Sequence, residues 1–278
     1  MRGRMSQWNP RIAAVFLMAV LVTLLHWTTP HAGKVSEVRI GNILPLTGPS
    51  ATAGRQNRSA IELATEYVNA AGGIKSLGGA RLVNAWADTR GEVAFGMSAV
   101  EHLIKNEKVS VISGAWNSAV TYPTTQAAEQ AKIPYVVPVS VRDTITDRGF
   151  KYVFRTAPKD GWRSRDQFRF LRDMTRSTRT KVETLALVFE NGGWGTSMKD
   201  QWTKLATSQG YRVVLVEPYD DAATDLTVMV MNIRNAQPDV ILLASFNEDA
   251  FLLAYAMFTL KVGAKHVSAI SRGPVVHA

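Results

Sequence analysis

Three groups of residues in this chain could hold a small polar molecule. Gly114 to Thr121, GAWNSAVT, follows an apolar run and leads into a helical pattern. A small-residue loop at a helix amino end leaves backbone N–H groups free and presents the positive end of the macrodipole, which suits a carboxylate. Within it, Asn117 and Ser118 can cap the helix or take part in binding, and the two roles are compatible. Pro138-Val139-Ser140-Val141 ends the next apolar run. The third group lies in the second half: Asn191-Gly192-Gly193-Trp194-Gly195, then SFNEDAF from Ser245 to Phe251. There Glu248 is a first-turn acid, which the dipole favours at any helix amino end. Trp116 and Phe246 flank these groups and either wall a side-chain pocket or simply pack.

Other chemistry has little to work with. The sequence has no cysteine, so disulfides, thiolate catalysis and cysteine zinc sites are excluded. GGWG is neither a Walker loop nor a dinucleotide fingerprint, and it does not fall in the first βα turn. No serine sits in a nucleophile elbow. His26, His31, His102, His266 and His277 show no metal-ligand spacing. No enzyme activity, cofactor or metal is expected. The formal charge of +9 is spread, except over Arg163 to Arg179. Asp166 and Asp173 interrupt that basic stretch, so a solvated helix face with local ion pairs is expected there and not a nucleic-acid surface.

The elements that must position these residues alternate along the chain. Strands are expected at Val38 to Leu44, Arg81 to Ala87, Val109 to Ser113, Tyr135 to Val139, Tyr152 to Arg155, Leu185 to Glu190, Arg212 to Glu217, Val240 to Ser245 and Val267 to Ile270, with helices between them. Glu183, Tyr211, Asp239 and Val267 begin successive units 28 residues apart, close to the length of a βα unit. Alternation of this kind gives an α/β fold of parallel sheets covered by helices, and ligands of open parallel sheets lie outside the carboxyl ends of the strands. The polar stretch Ser140 to Lys151 separates two such series. It makes 142–151 the expected crossover between a first lobe, 33–141, and a second lobe, 152–265. Ahead of them, 1–32 reads as a secretory signal: Arg2, Arg4 and Arg11, the apolar run Ile12 to Leu25, then small residues near Ala32. That run is shorter than the ~20 residues of a spanning helix.

The first unit carries a resemblance. ILPLTGP at Ile43 to Pro49, a helix expected to start near Gly54, and NAAGGI at Asn69 to Ile74 form an ordered set behind the signal. It resembles the amino terminus of type I periplasmic binding proteins, the solute receptors of branched-chain amino-acid ABC transporters. The resemblance implies two α/β lobes closing on a ligand, a periplasmic location and an inner-membrane ABC permease as partner. It implies that Ser118 holds a ligand carboxylate, that Trp194 closes over the ligand and that Glu248 pairs with its ammonium group. The family threonine after the second strand loop is replaced by Val141, with Ser140 as its neighbour, which removes one donor. Family members run well beyond Ala278, so the resemblance also implies that the carboxyl-terminal part of the first lobe is missing and that 266–278 starts a second crossover. The expected function is capture of an amino acid or related amide for import. The alternatives are a ligand sensor of a signalling system and a truncated, non-binding remnant.

Overall fold

The computed structural model of the chain describes residues 35–271; the signal expected over 1–32 and the residues after 271 lie outside that range. Nine strands alternate with seven α-helices among the described residues. β1 (Glu37–Leu44), β2 (Arg81–Asp88), β3 (Val111–Gly114), β4 (Tyr135–Val137) and β5 (Val153–Arg155) form one sheet in the order β2-β1-β3-β4-β5. β6 (Thr184–Glu190), β7 (Arg212–Tyr219), β8 (Val240–Ser245) and β9 (His266–Ser271) form the other, in the order β7-β6-β8-β9. Every pairing within the two sheets is parallel.

The helices are α1 (Ala51–Ala70), α2 (Val93–Lys105), α3 (Ser118–Ala131), α4 (Asp160–Thr178), α5 (Gly193–Gln209), α6 (Thr227–Ala236) and α7 (Asn247–Thr259). In the first lobe α2 and α3 seal one face around Ile43, Val100, Leu103, Ile112, Val120 and Tyr135. Side chains alternate across a strand, so Asn42 points to the other face, where its Nδ2 donates to Asn84 Oδ1 at 2.9 Å and Asn84 in turn donates to Thr65 of α1. Among the described residues only α1 lies on that side, and its Leu63 and Tyr67 are exposed. The second sheet is buried on both faces: α4 and α5 pack with Leu185, Leu187 and Leu242, and α6 and α7 with Ala186, Val188 and Ile241. This double burial explains why β6 and β8 read as continuous apolar runs. The arginine-rich stretch forms α4, which buries Phe168 and Leu171 and turns Arg165, Asp166 and Arg169 to solvent.

Two lobe boundaries differ from those read in the sequence. β5 belongs to the first sheet, with Tyr135↔Val153 and Val137↔Arg155 in register with β4. The polar stretch 142–151 is therefore no crossover. Ile145 is fully buried in the first core, and the Arg148 guanidinium donates to the carbonyls of Tyr122 and Ile145 and to Thr125 Oγ1. Glu129 of α3 accepts the amides of Lys151 and Tyr152 at 2.9 and 2.7 Å. Polarity that looked like a linker is satisfied against α3, and the chain crosses instead between β5 and α4. Likewise 266–271 does not begin a second crossover; it forms β9, paired with β8 from Val240↔His266 to Ser245↔Ser271.

Gly54 lies inside α1, which begins three residues earlier, at Ala51. A Cβ at Gly54 would sit 1.9 Å from the Pro45 carbonyl oxygen, so glycine is present for close approach of the helix to the turn after β1. Gly54→Ala is expected to destabilise the protein by about 1–3 kcal/mol through overpacking, read as a lower urea midpoint at unchanged slope.

Candidate functional site

Each sheet reverses its strand order once. α1 carries the chain from β1 to one side and β3 lies on the other; β7 and β8 flank β6 in the same way. Loops diverge at such switch points and leave a crevice. The candidate residues fall on these loops: Trp116, Asn117 and Ser118 after β3, Trp194 after β6, Phe246 and Glu248 after β8.

After β3, Ala115 and Trp116 are buried and Asn117 takes the extended conformation of an N-cap. Its side chain makes no capping bond to α3; Asn117 Nδ2 points at Ser50 Oγ, 3.5 Å away. Ser118 is the first residue of α3 and is 2% exposed. After β6, buried Glu190 organises the GGWG turn: its carboxylate accepts the amides of Gly192 and Gly195, each at 2.5 Å. This brings the start of α5 against the start of α3, so closely that a Cβ on Gly193 would meet the Ala119 backbone at 3.3 Å. The two lobes touch through two helix amino ends.

Between these ends lies a cavity of about 180 Å³. Asn117, Ser118 and Ala119 border it from the first lobe; Glu190, the turn Asn191–Trp194, Asp221 and Phe246 border it from the second. Trp194 and Phe246 are its aromatic walls, and Trp116 lies behind Phe246 without bordering it. Trp116 stands 5.0 Å from Phe246, and Phe246 5.2 Å from Trp194, centroid to centroid. All three are nearly buried, and Trp116 thereby inserts a first-lobe ring into the second-lobe core.

Four candidates, Trp116, Val139, Ser140 and Val141, do not border the cavity. The Ser140 hydroxyl, fully buried, is engaged by the carbonyls of Ala115 and Trp116 at 2.8 and 3.1 Å and by Thr121 Oγ1 at 2.5 Å. Val139 and Val141 pack against the same aromatic cluster. Glu248 lies in the first turn of α7, and its side chain is outside the described set.

The sequence reading missed Glu190, Asp221 and the Tyr219–Asp249 pair. Asp249 is 3% exposed and accepts the Tyr219 hydroxyl at 2.5 Å. Burial pushes the Asp249 carboxyl above the usual carboxylate range, and hydrogen bonds from Tyr219 and the α7 amino end offset this only in part. Asp221 is also pushed up, first by burial and then by Asp249 and Asp220. The doublet Asp220-Asp221 at a strand end was the signal available. A wider groove of about 400 Å³ runs from Arg142–Thr144 along α5 to Lys204, but it lies outside the switch-point loops of the first lobe, and its Asp143 is already bound to the Gly161 amide at 3.1 Å.

Known proteins share this fold. The Leu/Ile/Val-binding protein homolog 8 of Brucella suis biovar 1 is 29% identical over 231 residues, covering 81% of this chain and 56% of that protein. The homolog 7 of Brucella abortus is 27% identical over 227 residues, covering 78% and 54%. The chain thus spans about half the length of the curated relatives it matches. A leucine binding protein, LivK, of Thermotoga maritima superposes with a TM-score of 0.73 at 21% identity, covering 84% of this chain and 63% of that one. An ABC-transporter solute binding protein of R. palustris in complex with 4-hydroxybenzoate gives 0.74 at 21% identity, covering 86% and 62%. These relatives are solute-binding proteins and not enzymes. The family model described as periplasmic binding protein matches residues 37–271, and the chain belongs to that family, with its type I fold.

Proposed function

We propose that this chain captures a small solute bearing both an ammonium and a carboxylate or amide group, an amino acid or a related amide, as the extracytoplasmic binding component of an ABC importer. The observation that carries this reading is the cavity at the two switch points. Helix amino ends with Asn117 and Ser118 offer N–H donors to an acceptor group, while Glu190 and Asp221 put negative charge on the opposite wall. No lysine or arginine borders it among the described residues. The aromatic walls also suit an aryl carboxylate of the kind bound by the R. palustris protein, but an anion there would face two acids without a compensating base.

Family membership implies a location outside the cytoplasm. A ligand that contacts both lobes is fully held only when they close, so binding shifts the population toward the closed form that an inner-membrane permease would read. The direct test is a thermal-shift screen of amino acids, amides and small carboxylates. A ligand at a hundred times its dissociation constant adds about 2.7 kcal/mol of stability. If carboxylates without an ammonium group shift the melt and amino acids do not, the reading fails.

A pH dependence follows from the raised carboxyls. A cation is held by ionised acid, so ammonium-ligand affinity is expected to fall as pH drops through the raised Asp221 value, before ordinary carboxylates protonate. The same groups have the opposite effect on the empty protein. Their folded values lie above the unfolded ones, so the folded state holds more protons within that window and their contribution to stability increases as pH falls. Calorimetric titration between neutral pH and the carboxylate range, repeated on Asp221→Asn, should lose this extra acid-side weakening in the variant.

A further inference from the structure

We infer that Asn117 reads a primary carboxamide on the ligand, so that the solute held here is the amide of an amino acid in preference to the free acid. This rests on the proposed ammonium reading and names the second group of the same ligand. Asn117 borders the cavity from the first lobe, and the protein itself makes little use of its side chain. Its Oδ1 is buried with no hydrogen-bond partner among the described residues. Its Nδ2 reaches only Ser50 Oγ, at 3.5 Å, longer than an ordinary N–H···O bond. It does not cap α3 either, although asparagine is among the residues best suited to that task. A buried polar atom without a partner destabilises the protein, so one that borders a ligand cavity marks where a ligand group completes the bonding.

The chemistry of that group follows from what a carboxamide offers. Asn117 carries an acceptor and a two-hydrogen donor side by side, and Ser50 engages one of those hydrogens at most. A primary amide matches both ends at once, its NH₂ donating to Oδ1 and its C=O accepting from Nδ2. This reciprocal pair is the same whichever way the Asn117 side chain is turned. A carboxylate can only accept and leaves Oδ1 unpaired; an ammonium can only donate and leaves Nδ2 unused. Charge separates amide from carboxylate in the same direction. Glu190 and Asp221 border the cavity and no lysine or arginine does among the described residues, so a ligand carboxylate would lie near two acids. A neutral amide avoids that repulsion while the ligand ammonium still meets the acidic wall.

The test is calorimetric titration of the intact chain at neutral pH with glycine, alanine, leucine and phenylalanine, each as the free acid and as its primary amide. Pairing acid with amide makes the result independent of which side chain the cleft prefers. The unaltered protein should bind the amide about tenfold or more tightly than its acid in every pair that binds, the effect of one added hydrogen bond and a relieved repulsion. Asn117→Leu, similar in size and without hydrogen-bonding atoms, should bring that ratio close to one by weakening the amide. Asn117→Asp keeps the shape but adds a negative charge, and should weaken the acid more than the amide. Neither exchange removes a capping bond from α3, and Asn117→Asp carries the test if the leucine variant does not fold. An acid bound as tightly as its amide by the unaltered protein, or a ratio unmoved in a folded variant, overturns the amide assignment and leaves the ammonium reading standing. Binding of none of the eight compounds overturns both.

Discussion

Replacing Glu248 by Gln is expected to weaken amino-acid binding by about 2 to 5 kcal/mol, the cost of removing one partner of a desolvated charge pair. The position follows from topology. Glu248 lies in the first turn of α7, directly after β8 at the second-lobe switch point, and the exchange keeps shape while removing charge. The other acids are less suited to the role. Asp249 is committed to the Tyr219 hydroxyl and Glu190 to two amides of the α5 turn. Asp221 is only half-buried, so solvent screens its pull on an ammonium group and Asp221→Asn should cost less. Ser118→Ala should also cost less, because the amides at the start of α3 remain. Calorimetry near pH 7.5, with the amino acid that raises the melting temperature most in the thermal-shift screen, ranks the three variants. Unchanged affinity for Glu248→Gln, with a large loss for Asp221→Asn, would move the ammonium partner to Asp221.

The parts of this molecule that were legible in its sequence are those set by local pattern. All nine strands appear where apolar runs and helical stripes alternate, and Gly72 and Gly73 end α1 at positive φ. Lobe membership was not legible for β5, because it depends on a register with β4 that no local pattern encodes. Polar residues in 142–151 resemble a linker until Arg148 and Glu129 are seen to satisfy them. Ser140 failed for the same reason: its hydroxyl is consumed by carbonyls 24 and 25 residues earlier. Asp249 and Tyr219 are 30 residues apart and meet only because β7 and β8 flank the same strand. Residues on the switch-point loops were found, since the chain marks strand ends clearly; groups reaching the cavity from a neighbouring strand end were not.

The largest stability effect is expected at Trp202. It is fully buried within α5, and its indole N–H donates to Gln167 Oε1 at 2.8 Å. Gln167 of α4 in turn donates to the Ser268 carbonyl at 3.0 Å and to its hydroxyl at 2.9 Å. One side chain thus ties two helices to the edge strand β9. Trp202→Ala leaves a void under both helices and should cost about 3–5 kcal/mol, a large share of the ~5–15 kcal/mol that stabilises a typical domain. Trp202→Phe fills much of that space but strands the Gln167 oxygen, and should cost about 1–3 kcal/mol. Urea unfolding followed by tryptophan fluorescence and circular dichroism measures both. Trp202 does not border the cavity, so at low denaturant the folded fraction of either variant should keep its ligand affinity. A loss below about 1 kcal/mol for Trp202→Ala would mean that α4 and β9 do not depend on this contact. A parallel loss of affinity in the folded variant would mean that packing under α5 reaches the cleft through the turn held by Glu190.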